Sequence, residues 1–288
     1  MRVLSKSDRE NIMRWTFGIF FAAILLAASP APAEDAPASG KVQVLWLGQS
    51  AMRITTPGGK VIQIDPFITK NPKTPAAWKD LSKLGHLDLL LVTHGHLDHV
   101  GDTFELSKTN GIEVYAPAGL EDTFITLGLL PPERAPRMNK GGTIHPLGPG
   151  IAISMVHADH SSEFLAVNPF TGKQENFPGG EPVGFILKLE NGFTIYHMGD
   201  TGLFGDMKLI ADLYHPDLVM IPIGGHYVMD PEAAAYALKN YLKPRYAIPM
   251  HYGTTPLLAG TPEQLIEAMG RDSATKIVVM QPGDSTSF

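Results

Sequence analysis

The chain has 288 residues, 44% of them hydrophobic and 18% charged, which is enough for one large core and does not demand two domains. Its 29 acidic side chains outnumber 23 basic ones for a net charge of −6, so no basic footprint for a nucleic-acid partner exists. With no cysteine, disulfides and thiolate ligands are excluded, and any metal site must be built from nitrogen and oxygen, which points to zinc, with manganese or iron as alternatives.

Residues 1–33 open with Arg2, Lys6, Arg9 and Arg14, continue through an apolar run from Trp15 to Ala28, and end on the small-residue pattern Ala31-Pro32-Ala33. This predicts a secretory signal peptide removed before Glu34, hence an exported protein, periplasmic or extracellular, with no membrane contact after cleavage. The alternative is an uncleaved anchor, although the apolar run is shorter than the roughly 20 residues of a spanning helix. Residues 34–40, rich in alanine, proline and glycine, read as a linker, and residues 41–288 as one catalytic domain.

Strands are expected at residues 42–47, 52–56 and 60–65, the last two joined by the turn signal Pro57-Gly58-Gly59. Asp65 closes its strand and suits either a turn cap or a carboxylate that orients a metal-binding histidine. Residues 66–86, rich in proline, read as an irregular surface loop. The apolar run Leu89-Leu90-Leu91-Val92 then feeds Thr93-His94-Gly95-His96-Leu97-Asp98-His99, three histidines and an aspartate within six residues. An extended chain through Gly95 puts His94 and His96 on one side, and a helix predicted over 97–106 carries Asp98 and His99 in its first turn. Imidazole and carboxylate concentrated this way suit divalent metals, and four such groups serve two ions better than one.

A strand at 112–116, a helix at 119–127 and a strand at 151–156 follow, the last running into His157-Ala158-Asp159-His160-Ser161-Ser162, where either histidine can ligate a metal. Residues 163–182 suit a pocket wall or a plain connector. Strands at 183–189 and 193–197 flank the hairpin pair Asn191-Gly192, and the second leads into Gly199-Asp200-Thr201. His197 reads as a core histidine. A buried strand at 218–223 precedes Gly224-Gly225-His226. Asp230 is a helix cap before Pro231, and a strand at 245–250 ends at His251. Thr261 to Gln264 is a capping box before the last helix, and residues 276–280 form the last strand. Six strand ends thus carry Asp65, His94, His160, Asp200, His226 and His251. Alternating strands and helices predict a layered α/β domain whose chemistry converges on one edge.

Trp46-Leu47-Gly48, Ile64-Asp65-Pro66-Phe67, the Thr93 to His99 run, Ala158-Asp159-His160-Ser161-Ser162, Gly180-Glu181-Pro182-Val183-Gly184, Tyr196 to Phe204 and Pro249-Met250-His251-Tyr252-Gly253 together resemble the metallo-β-lactamase superfamily. The branch is that of uncharacterised metal-dependent hydrolases related to ascorbate-6-phosphate lactonase, and the resemblance runs from Lys41 to near the end. It implies a four-layer αββα sandwich with two metal ions at one edge. It also implies His94, His96 and His160 on one metal, Asp98, His99 and His251 on the other, and Asp200 between them. Gln49 departs from the pattern, because related sequences often carry histidine at that place.

A pair of ions sharing a water lowers its pKa and turns the hydroxide on a carbonyl or phosphorus, so the expected activity is hydrolysis of a small-molecule ester, lactone or phosphoester. His226 and Asp98 are the expected catalytic residues, Asp98 through the metal and His226 as proton donor to the leaving group, with His157 as the alternative donor or a support for the metal ligands. A hydrogen bond to its own glycine turn is the other reading of His226. β-Lactam hydrolysis, a di-iron redox protein and a metal-holding protein without turnover are the competing functions.

Overall fold

The computed structural model describes residues 40–288, so the signal segment and most of the linker lie outside the described residues. The first five strands are β1 (Gln43–Trp46), β2 (Met52–Thr55), β3 (Val61–Ile64), β4 (Leu89–Leu91) and β5 (Val114–Tyr115). The first three form an antiparallel meander, after which β4 and β5 add in parallel. A second sheet follows from β6 (Thr143–Ile144) and β7 (Ala152–His157), interrupted by the separate hairpin of β8 (Glu163–Val167) and β9 (Gln174–Pro178). It continues through β10 (Val183–Lys188), β11 (Thr194–His197), β12 (Leu218–Pro222), β13 (Tyr246–Met250) and β14 (Lys276–Ile277), in spatial order β14-β13-β12-β11-β10-β7-β6. Finally β15 (Ser285–Ser287) returns to pair with β1, giving the first sheet the order β15-β1-β2-β3-β4-β5.

Period-two alternation decides what packs where. One face of each sheet meets the other in a core that includes Val44, Trp46, Met52 and Ile64 from the first and Phe185, Met220 and Ile248 from the second. The outer face of the first sheet is covered by α1 (Leu97–Val100), α2 (Thr103–Asn110) and α3 (Ala118–Thr126), through Val100, Leu106, Leu120 and Phe124. The outer face of the second is covered by α4 (Met207–Tyr214), α5 (Pro231–Tyr236) with the π-helical turn Ala237–Leu242 that continues it, and α6 (Pro262–Met269), through Met207, Ile210, Ala234, Leu238 and Leu265. This is the expected four-layer αββα sandwich. Its strands are buried on both sides, which is why β4 and β12 read as unbroken apolar runs.

The caps expected from sequence set two helix starts. Asp230 accepts the Ala233 N–H at 2.8 Å, and Thr261 and Gln264 bond each other reciprocally as a capping box. The helix expected over 97–106 is instead broken after one turn. Gly101 sits at φ 41, and a Cβ there would lie 2.3 Å from the Pro66 carbonyl, so the chain must turn at glycine to clear the backbone of Pro66 and Phe67. The expected loop at 66–86 contains two short 3-10 turns, Ala76–Trp78 and Leu81–Leu84. The stretch at 163–182, expected as wall or connector, is the β8–β9 hairpin, while β6, β15 and α4 had no counterpart among the expected elements.

Candidate metal centre

Five of the six strand ends meet at one edge of the sheets. Asp65 follows β3, His94 follows β4, His160 lies three residues past β7, Asp200 follows β11, and His251 follows β13. Within this set His94, His96 and His160 bring one donor atom each to within 4.8 Å of one another. So do His94, His99 and Asp200, and so do Asp98, His99 and His251. The groups share members, so they describe one elongated nest of donors with Asp200 at its middle. Its Oδ2 lies 2.9 Å from His251 Nε2, 3.2 Å from His99 Nε2 and 3.7 Å from His160 Nε2. Asp98 Oδ2 closes the far end, 3.5 Å from His251 Nε2 and 3.8 Å from His99 Nε2.

The nest is held from outside by hydrogen bonds that set which ring nitrogen faces inward. His99 Nδ1 donates to Asp65 Oδ2 at 2.7 Å, and Asp65 in turn accepts the Thr93 N–H at 2.8 Å and the Thr93 hydroxyl at 2.7 Å. Asp65 therefore orients a histidine. The bond fixes the proton on Nδ1 and leaves the His99 Nε2 lone pair aimed into the nest. At the other end Glu163 Oε2 lies 3.2 Å from His96 Nε2, while His96 Nδ1 points inward, 2.9 Å from His94 Nε2. Glu163 had not been singled out in the sequence. It lies 67 residues from its partner at the start of a hairpin that no local pattern announced.

Burial sharpens the electrostatics. Desolvation, helped by the neighbouring His99, holds His94 well below the usual imidazole range, and desolvation likewise lowers His160, so both stay neutral with a lone pair free. Burial works against the charge of Asp200, yet His251 and His99 outweigh it and hold that carboxyl well below its ordinary range. Asp98 is lowered in the same sense, burial being overcome by His99 and the bond to His251. In return the carboxylates overcome burial at His99, which is raised well above its usual value, and at His251, raised to about 9, with Asp200 the main cause. Asp200, deep in the protein, and the partly exposed Asp98 thus demand positive charge, which either a cation held by the inward lone pairs or a further proton on His99 and on His251 supplies.

The donor set fits a metal on a further ground. His99 Nε2 and Asp200 Oδ1 are buried without a hydrogen-bond partner, a costly state for polar atoms unless a ligand completes them. Two expectations need correction or restatement. His157 does not support the ligands: as the exposed last residue of β7 it lies with its ring edge-on to Phe204 at 4.9 Å and Nδ1 3.5 Å from Lys140 Nζ. Val156 before it packs on the helix-covered face of the sheet, and His157, last in the strand, lies exposed past the edge of the core. His226 stands exposed on the loop after β12, at φ 57 and edge-on to Tyr227. His197 is the core histidine expected, buried and 2.9 Å from the Ser50 carbonyl through Nε2.

A family model for the β-lactamase superfamily domain matches residues 60–252. A UPF0173 metal-dependent hydrolase of Cupriavidus necator is 54% identical over 263 residues, 91% of each chain. Another from a Polaromonas species is 55% identical over 269 residues, 92% of this chain and 98% of that one. Among solved structures, Igni18, described as a metallo hydrolase from the hyperthermophilic archaeon Ignicoccus hospitalis, superposes with a TM-score of 0.73 at 33% identity, covering 86% of this chain and 98% of its own.

Proposed function

The chain belongs to the metallo-β-lactamase superfamily as a metal-dependent hydrolase of the UPF0173 kind, and from that premise we propose that it holds two divalent ions and cleaves a small-molecule ester, lactone or phosphoester. The observation that carries the proposal is the overlap of the donor groups around Asp200, which gives two clusters of three or more ligands with one carboxylate between them. His94, His96 and His160 would hold one ion, Asp98, His99 and His251 the other, and Asp200 would touch both. The preponderance of imidazole favours zinc, with manganese or iron the alternatives. Such a pair supplies a water acidic enough to attack at neutral pH and a Lewis acid for the oxygen that gains charge.

The side chains have separate tasks. Asp65 and Glu163 lock the rings of His99 and His96 so that each presents one lone pair, and Thr93 steadies Asp65 through two bonds. His94, His99, Asp200 and His251, all buried, keep bulk water from competing with the substrate for the ligands. We assign His226 the proton for the leaving group. In support, the loop that carries it hugs the site: a Cβ on Gly224 would lie 2.3 Å from the His251 carbonyl, so only glycine lets this loop approach the ligand strand. An exposed imidazole can reload its proton from solvent between turnovers.

Export belongs to the same proposal, supported by the basic start, apolar run and Ala31-Pro32-Ala33. N-terminal sequencing of the secreted protein is expected to begin at Glu34, and a chain still starting at Met1 would favour the anchored form. The hydrolytic reading is tested by assaying the metal-loaded enzyme against generic esters, lactones and phosphodiesters. Turnover of one class that disappears on chelation and returns with metal is expected. Silence toward all three, with metal bound, would contradict it.

A further inference from the structure

One side chain at the centre has been given no task. Gln49 sits in the turn between β1 and β2, is 3% exposed, and takes the left-handed backbone conformation at φ 51. Its amide Nε2 lies 2.8 Å from Asp98 Oδ2 and 2.7 Å from His251 Nε2, two of the donors for the second ion. Its Oε1 is buried with no hydrogen-bond partner. The turn is clamped. The Gln49 carbonyl accepts from the Trp46 indole at 3.0 Å and from the His251 N–H at 3.1 Å, the Ser50 carbonyl lies against His197, and the Leu47 carbonyl accepts from Thr74 Oγ1. A long amide is thereby held against two metal donors by contacts that leave its backbone no alternative place.

We propose that Gln49 is a protein ligand of the second ion, bound through Oε1. The inference rests on the binuclear reading above. With the ring nitrogen of His251 and the carboxylate of Asp98 both turned to a cation, an NH2 group in the present position would face positive charge with its own positive end. Rotation about the last side-chain bond exchanges the amide's oxygen and nitrogen without moving the group, and turns repulsion into coordination. The rotation leaves the NH2 where the oxygen now lacks a partner, and exchanges the present bond to Asp98 Oδ2 for a metal–oxygen bond. The spacing agrees. Two donors about 2.1 Å from one ion lie roughly 3.0 Å apart at a right angle and roughly 3.4 Å apart at the tetrahedral angle. Separations of 2.7 and 2.8 Å therefore suit neighbouring ligands in a shell of more than four. The second site then has three oxygen donors, from Asp98, Asp200 and Gln49, and two imidazoles, His99 and His251. The first has three imidazoles and shares Asp200, so the two sites differ in hardness, and the second leans toward an oxygen-preferring ion.

The test is a cobalt(II) titration of the metal-stripped full chain, followed by bound metal per chain and by the visible spectrum, which reports coordination number. Asn tolerates the left-handed backbone but is one methylene too short to keep the contact, so Gln49→Asn removes the donor and keeps the turn. Gln49→Asn is expected to weaken the second cobalt at least tenfold and shift its spectrum toward fewer ligands, with the first cobalt unchanged. Gln49→Glu, which keeps reach and oxygen, is expected to hold the second cobalt at least as tightly as the wild type. Equal affinity and an unaltered spectrum in Gln49→Asn would overturn the assignment. Tighter binding would overturn it too, since it would make Gln49 a plug that the metal must displace. A wild type that saturates at one cobalt would overturn the binuclear reading as well, an outcome distinct from either of these.

Discussion

Replacing Asp65 with asparagine isolates the carboxylate that sets the tautomer of His99. The site suits the exchange, because residue 65 has φ 45, a conformation asparagine adopts readily, and the side chain keeps its length. What changes is charge and donor pattern. Asp65 now accepts three bonds, at 2.7 Å from His99 Nδ1, 2.8 Å from the Thr93 N–H and 2.7 Å from the Thr93 hydroxyl, all fully buried. An asparagine oxygen in the Oδ1 place keeps the Thr93 N–H, but the NH2 then takes the Oδ2 place, where it faces His99 Nδ1–H, donor against donor, and the Thr93 hydroxyl must turn to accept from it. The ring relieves this by moving its proton to Nε2, which removes the lone pair from the ligand nest. Supports of this kind are worth about 10–100-fold in metal affinity, or roughly 1.4–2.7 kcal/mol. The expected result is a second metal weakened by that factor and a first metal nearly unaffected, read by competition with a chelator of known affinity. Thermal unfolding of the metal-free variant controls for fold, with a cost of about 1–3 kcal/mol expected for the altered buried bonds. Wild-type affinity for both ions in Asp65→Asn would refute the claim that this carboxylate governs His99.

Two further outcomes follow from the same structure. Glu121, fully buried on α3 with Oε2 unpartnered, has its carboxyl pushed by desolvation up to about 8, so the folded chain keeps a proton that the unfolded chain releases nearer pH 4.5. Stability from this group is therefore lost as pH rises between those values, on the order of a few kcal/mol by pH 8, and Glu121→Gln should flatten that slope in denaturant titrations; a variant whose pH dependence parallels the wild type's would count against it. His226→Ala should lower turnover by about 10²–10⁴ with metal content intact, and the loss should shrink for leaving groups that need no proton. An equal loss across a leaving-group series would remove the donor role.

Much of the centre was legible because its densest part is local. His94 to His99 follow an apolar strand, and neither the strand's period nor the donors' chemistry depends on distant residues. The sheets were legible too where turns have strong residue preferences, as at Asn191-Gly192, and helix starts where Asp230 and Thr261 cap them. What escaped was set by contacts across the fold. The short α1 results from the Pro66 carbonyl pressing on Gly101, and the place of Glu163 from a hairpin with alternating exposure and little apolar content. Gln49 read as a departure from a motif, and its meaning lies in atoms 49 and 202 residues away. Residue pattern alone left His157 and His160 as alternatives, and only the resemblance to the family singled out His160; in the structure His157 ends β7 exposed.

The most direct measurement is the metal content of the reconstituted protein, determined by elemental analysis beside an accurate protein concentration. Two divalent ions per chain are expected for the wild type, with Asp200→Ala losing both tight binding and the thermal stabilisation that metal confers on the folded state. A wild type that saturates at one ion, or an Asp200→Ala variant that still takes two at unchanged affinity, would contradict a centre built around a shared carboxylate.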